Sequence, residues 1–217
     1  MPMSYYMILP SGERDRRSIG FVLSTAKEET WPWPKERWNP VQGLHYMAYN
    51  PSGKFDAVTR QELPKLTAIL RPKVAELPDI IGGFSSDVTA LPPLVTSRLK
   101  ALIEQLAPNS CEYLPAPEIW DATFEREIER SGYQYVNLFK QVEGWDHQLS
   151  DIRKMTRADG SIWYSMAGMG TINSAAVEGH HLWRDSHTKH VLCSEEFKRK
   201  VQDARVVNLH FHELKEN

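Results

Sequence analysis

The sequence predicts an α+β fold: a mixed, mainly antiparallel sheet with a few packed helices and a repeated strand–helix–strand unit. Three observations carry this. Two stretches, 93–115 and 190–214, each pass from a short apolar run through a hydroxyl residue into helix-compatible sequence and then into apolar/polar alternation. Other segments are rich in aromatic and β-branched residues at period two, Tyr133 to Phe139 most plainly. Strands and helices also lack the regular alternation that a doubly wound parallel sheet requires.

Taken in order, Tyr5 to Leu9 reads as the first strand, Ser11 to Arg17 as a polar turn and Gly20 to Leu23 as a second strand. Trp31 to Pro40 holds three prolines and three tryptophans. Proline removes amide donors and fixes φ, so this segment is a loop or a sheet edge. Leu44 to Tyr49 reads as a strand, ended by the turn chemistry of Asn50-Pro51-Ser52-Gly53. Leu66 to Arg71 fits either a short helix opened by Pro64 or a strand, with the strand preferred. The pair Gly82-Gly83 stops the segment Leu77 to Ile81.

In the first of the two similar stretches, Leu94-Val95 suits a buried strand, Thr96 an N-cap, and Leu99-Lys100 the first helical turn. In the second, Val191-Leu192, Ser194 and Phe197-Lys198 take those places. The exit strands are Cys111 to Leu114 and Val207 to Phe211. Glu118 to Arg130 has helix-compatible spacing in Ile119, Phe124 and Ile128. Ile162 to Met166 is a strand after the Asp159-Gly160 turn, and Gly168 to Gly179 reads as loop. The expected organisation is a β-rich region with the Trp/Pro loop over 1–76 and a core over 77–217, joined as one continuous globular unit.

The chain has 217 residues, enough to bury a real core. A formal charge of −2 gives no reason to expect nucleic acid or a membrane surface as partner. No stretch approaches the ~18 apolar residues of a membrane helix, and the start lacks a basic lead, so the cytoplasm is the expected address. Cys111 and Cys193 are the only cysteines and form no CxxC pair, which suits reduced thiols.

Chemistry is sparse. His180, His181, His187, His190, His210 and His212 crowd the last quarter. His187 and His190 could share a helical face, and His210 and His212 a strand face. That pattern keeps a metal-dependent hydrolase as an alternative, but no HExxH motif or carboxylate at ligand spacing accompanies it, so neither metal nor cofactor is expected. GxSxG, GxxxxGK[ST] and GxGxxG are absent. Asp79, Asp146, Asp151 and Asp185 are scattered and read as solvated or turn-capping. From Glu112 to Arg130, six acidic residues face only Arg126 and Arg130, with Trp120 among them. Such a run is either a solvated face or a patch for a basic partner. The candidates for partner binding are therefore Trp31, Trp33, Trp38, Glu118, Trp120, Asp121 and Glu125, because indoles and charge together suit an interface.

The ordered segments Tyr5 to Leu9, Leu77 to Ile81, Leu94 to Lys100, Tyr133 to Phe139 with Trp145-Asp146 and Ser150, and Val191 to Lys198 resemble a known family. It is family eleven of the bacterial immunity proteins from polymorphic-toxin systems, earlier described only as a domain of unknown function. The likeness covers most of the chain from Leu77 onward, and Ala167 to Asp185 has no clear counterpart. It implies a non-enzymatic protein that binds and neutralises a cognate secreted toxin by occlusion, for instance one delivered by type VI secretion. A non-inhibitory adaptor of a secretion system is the other binding alternative.

Overall fold

The computed structural model describes residues 4–9, 21–24, 67–73, 75–84, 92–129, 132–156, 160, 162–168 and 170–216. The chain begins with β1 (Tyr5–Leu9), β2 (Phe21–Ser24), β3 (Thr67–Leu70), β4 (Ile80–Ile81) and β5 (Leu94–Thr96). Helix α1 (Ser97–Leu106) leads to β6 (Cys111–Pro115), β7 (Glu118–Asp121), β8 (Arg126–Ile128), β9 (Tyr133–Leu138) and β10 (Gln141–Val142). Next come β11 (Ile152–Thr156), β12 (Ile162–Met166), β13 (Thr171–Ile172) and the one-turn helix α2 (Ser174–Val177). The last elements are β14 (Leu182–Asp185), β15 (Val191–Ser194), α3 (Glu195–Asp203), β16 (His210–Glu213) and β17 (Lys215–Glu216). The fold is α+β, and most strand pairs are antiparallel; β3–β7, β10–β14 and β13–β17 are parallel.

A five-stranded sheet has the order β10-β14-β15-β1-β16, with β1 antiparallel to both neighbours. A four-stranded sheet, β4-β5-β9-β6, sets β9 between β5 and β6 in the same antiparallel way. Each long helix therefore joins two strands that flank a third: α1 connects β5 to β6, and α3 connects β15 to β16. A third sheet has the order β2-β3-β7-β8, and β11-β12 and β13-β17 are two-stranded.

The hydroxyl caps form as the sequence predicts. Thr96 Oγ1 accepts from the Leu99 amide at 3.4 Å and Ser194 Oγ from the Phe197 amide at 3.2 Å, satisfying donors that a helix start leaves open. Glu195 and Glu196 in the first turn of α3 also oppose the positive end of its dipole. The buried pairs Leu99/Ile103 and Phe197/Val201 are spaced i, i+4, so each presents one face. All four enter one core with Tyr6, Ile8, Val95 and Val136, which locks the five-stranded sheet and the β4-β5-β9-β6 sheet together through their helices. A second core, including Leu70, Leu94, Ile119 and Tyr135, joins the β4–β6 sheet to the third sheet. On the other face of the five-stranded sheet, Tyr5 packs edge-on to Trp183 with Trp145, Ile172 and Val177. That sheet is covered on both faces, so β14 and β15 are buried along their whole length.

Three sequence expectations change. Asp79 is neither solvated nor a turn cap: it is 3% exposed and accepts from Thr96 Oγ1 (2.7 Å), Arg98 Nε (3.0 Å) and the Val207 amide (2.9 Å). The exit strand expected from Val207 starts at His210, because Asn208 turns the chain at φ 77° and its Nδ2 donates to the Ile80 carbonyl. Gly168 to Gly179 is not all loop, since it contains β13 and α2. Gly170 lies so near the Trp145 ring that an added Cβ would stand 2.5 Å from it, which explains why only glycine fits there.

Candidate functional site

The segment Glu118 to Arg130 forms no helix. Strands β7 and β8 make a hairpin in which Ile119 and Ile128 face each other directly, so two of the three apolar residues that suggested a helix are a cross-strand pair instead. Phe124 sits in the turn and is 44% exposed. Alternation along β7 buries Ile119 and Asp121, leaves Glu118 exposed and Trp120 half-buried, and sets Glu127 opposite Trp120. Glu125 is exposed at the turn in a left-handed conformation (φ 51°). Asp121, expected to face a partner with these residues, is fully buried. Its carboxylate accepts from the Thr123 and Phe124 amides at 3.0 and 3.1 Å and from Arg126 Nε at 3.1 Å. It holds the hairpin turn, while Glu118, Trp120 and Glu125 present the surface. Trp31, Trp33 and Trp38 lie outside the described residues.

The histidines do not gather as the sequence suggests. His187 and His190 flank a turn rather than a helical face. That turn is built by Asp185, which is fully buried and accepts from the His187 amide (3.0 Å), the Thr188 amide (2.7 Å), Thr188 Oγ1 (2.9 Å) and the Gly144 amide (3.1 Å). His190 turns inward against Trp145, with ring centroids 6.3 Å apart. His210 and His212 share one side of β16, pairing with Leu9 and Met7, while Phe211 packs on Tyr6. Among the described residues, His187 joins a group of three ligand-type side chains: its ligand atom and those of His147 and Glu143 lie within 4.8 Å of one another.

Nucleophilic chemistry finds little support among the thiols. Both cysteines are free. Burial pushes Cys111 up to about 12 and Cys193 well above its ordinary value, so neither is a thiolate at neutral pH.

Among the described residues, most of the exposed large apolar side chains lie on a hairpin of which the sequence shows only the second strand, β12. Strands β11 and β12 pair from Ile152↔Met166 to Thr156↔Ile162 and join no other sheet. Four of the six exposed large hydrophobic side chains among the described residues, Leu149, Met155, Ile162 and Trp163, fall on this arm or at its base. Met155 and Trp163 face each other across it, 42% and 41% exposed. The sequence signal for β12 is its aromatic run, whereas Ile152-Arg153-Lys154-Met155-Thr156 has no alternation to betray β11.

No described helix is long and apolar enough to cross a membrane. No curated protein matches the chain. The model of the immunity protein family Imm11 matches residues 4–216, so the likeness extends through the N-terminal third as well as the core. Within that third, β1 is an interior strand of the five-stranded sheet and β3 pairs with β7. The chain belongs to the immunity protein family Imm11, whose members carry a role in toxin immunity.

Proposed function

We propose that this protein neutralises a cognate secreted bacterial toxin by binding it directly and covering its working surface, without catalysing a reaction itself. The family match across residues 4–216 carries this reading. It acts in the cytoplasm of the toxin-producing cell and its kin, against an effector of a polymorphic-toxin system delivered by a route such as type VI secretion. The thiols are protonated, and four of the six exposed large apolar side chains among the described residues fall on or beside one two-stranded arm, which suits occlusion better than chemistry. Interfaces draw most of their affinity from a few aromatic anchors, and about 1,600 Å² suffices for nanomolar binding. Met155 and Trp163 are the anchors on the arm. Glu118, Trp120 and Glu125, with the tryptophans Trp31, Trp33 and Trp38, form the acidic and aromatic contacts for a basic region of the toxin. Asp121 supports them from below by fixing the β7–β8 turn.

Co-expression with the toxin encoded beside it should restore growth and yield a co-purifying complex. Met155→Ser with Trp163→Ser should weaken that complex at least about tenfold while leaving the melting temperature nearly unchanged, since hot-spot removal costs more than ~1.4 kcal/mol. A pair that neither co-purifies nor restores growth rules the reading out, and a toxin that binds yet stays active marks an adaptor instead.

A further inference from the structure

Three ligand-type side chains converge at the base of the arm, and the residues that hold them are more tightly organised than a surface ion pair needs. We propose that Glu143, His147 and His187 form a binding site for a transition-metal ion of the zinc class, with its fourth position open to solvent. This site uses none of the toxin-contact residues, although it lies beside the arm that carries Met155 and Trp163.

The geometry is close to that of a loaded site. His147 Nε2 lies 3.3 Å from a Glu143 carboxylate oxygen, and the rings of His147 and His187 are 4.8 Å apart at 79°. Two ligands on one tetrahedral zinc, at bond lengths near 2.1 Å, stand about 3.4 Å from each other. The remaining spread, up to 4.8 Å, closes by small side-chain rotations. Two imidazoles and one carboxylate suit borderline ions such as Zn²⁺ rather than Ca²⁺ or Mg²⁺, which prefer oxygen alone.

The support behind these ligands is what singles out the cluster. Glu143 and His147 flank Gly144 and Trp145, and His187 sits on the turn after β14. Asp185 fastens both segments with one carboxylate, accepting from the Gly144 amide on one side and the His187 and Thr188 amides on the other. Trp145 Nε1 adds a bond to Thr188 Oγ1 at 2.9 Å. Glycine is needed at 144, because a Cβ there would stand 2.9 Å from Trp183 Nε1. Ser186 Oγ lies 3.2 Å from His187 Nδ1, an outer partner that leaves Nε2 to face the ion. Tyr164 of β12 packs edge-on to the His187 ring at 4.6 Å, so an ion here would also brace the arm against the sheet. The site opens on a cleft of ≈ 480 Å³ lined by Glu143, His147, Asp146 and Asn173, and Glu143 and His147 are 62% and 39% exposed.

The test uses the full chain without a polyhistidine tag, stripped by a chelator and titrated with Co²⁺ and then Zn²⁺. Wild type should take up one ion per chain, show the visible absorption of tetrahedral Co²⁺, and melt at a higher temperature with Zn²⁺. His147→Gln and Glu143→Gln alter exposed side chains and spare the fold, yet each should weaken binding at least about tenfold and remove the visible bands. His210→Ala with His212→Ala should leave binding as it is. Binding that survives His147→Gln and His187→Ala, or that disappears with His210→Ala and His212→Ala, overturns the assignment. So does the absence of uptake by wild type.

Discussion

His190 occupies a place where a positive charge is costly. Its ring is largely buried beside Trp145, and its Nδ1 has no hydrogen-bond partner among the described residues. Burial lowers its pKa below the usual 6.5, Asp185 opposes that shift and Arg184 adds to it. Burial, helped by Lys140 and His181, lowers His180 as well. The folded state thus prefers neutral rings that the unfolded chain protonates near 6.5, so this stability is complete above 6.5 and is lost as pH falls below it. The melting temperature should drop on acidification through that range, and His190→Gln should flatten part of the drop. A variant with the wild-type profile would mean the ring is not the source. Asp79 behaves differently. Burial alone would raise its carboxyl, but bonds from Arg98, Val207 and Thr96 outweigh this and hold it below 3.8, so its contribution persists until far stronger acid. Arg184 lies in the same buried region, where burial pushes it down to about 10, and its Nη1 donates to the Lys189 carbonyl at 2.7 Å. Neither Asp79 nor Asp185 is legible as a buried hub in the sequence. A lone carboxylate has no period, and the partners of Asp79 lie 17 to 128 residues away.

The elements differ in how readily they can be read. Thr96 and Ser194 announce α1 and α3 because a cap must supply an oxygen at a fixed spacing before the first turn, a rule local enough to see in one dimension. Strand β9 shows itself through alternation and β-rich composition. The β7–β8 hairpin escapes, since Phe124 and Ile128 are four positions apart, as on one helix face, and only the Asp121 turn decides against a helix. Of the arm, β12 is legible and β11 escapes for the opposite reason: with neither face buried, β11 has no pattern to display. Cap and core residues should also separate in energy. Thr96→Ser, which keeps the oxygen that caps α1 and donates to Asp79, should cost under about 1 kcal/mol. Phe197→Ala should cost about 3–5 kcal/mol, because Phe197 is fully buried where α1 and α3 meet. Chemical denaturation measures both, and equal losses would contradict the shared helix core described above.

Across the whole molecule, the order of strands departs from the order of sequence. Strand β1 pairs with β15 through Tyr5↔Ser194 and with β16 through Ile8↔Phe211, so the opening residues form an interior strand of the largest sheet. Removing residues 1–9 should abolish cooperative unfolding, as followed by near-ultraviolet circular dichroism, rather than trim an edge, because two facing strand edges and the Tyr5–Trp183 contact would be lost together. A truncated chain that still melts sharply would contradict that arrangement. The same threading bears on when protection can begin. Ribosomes add roughly 5–20 residues per second, so β1 waits on the order of ten to forty seconds for its neighbours to emerge. If the protein neutralises a toxin as proposed, a nascent chain is no antidote, and protection rests on molecules already finished.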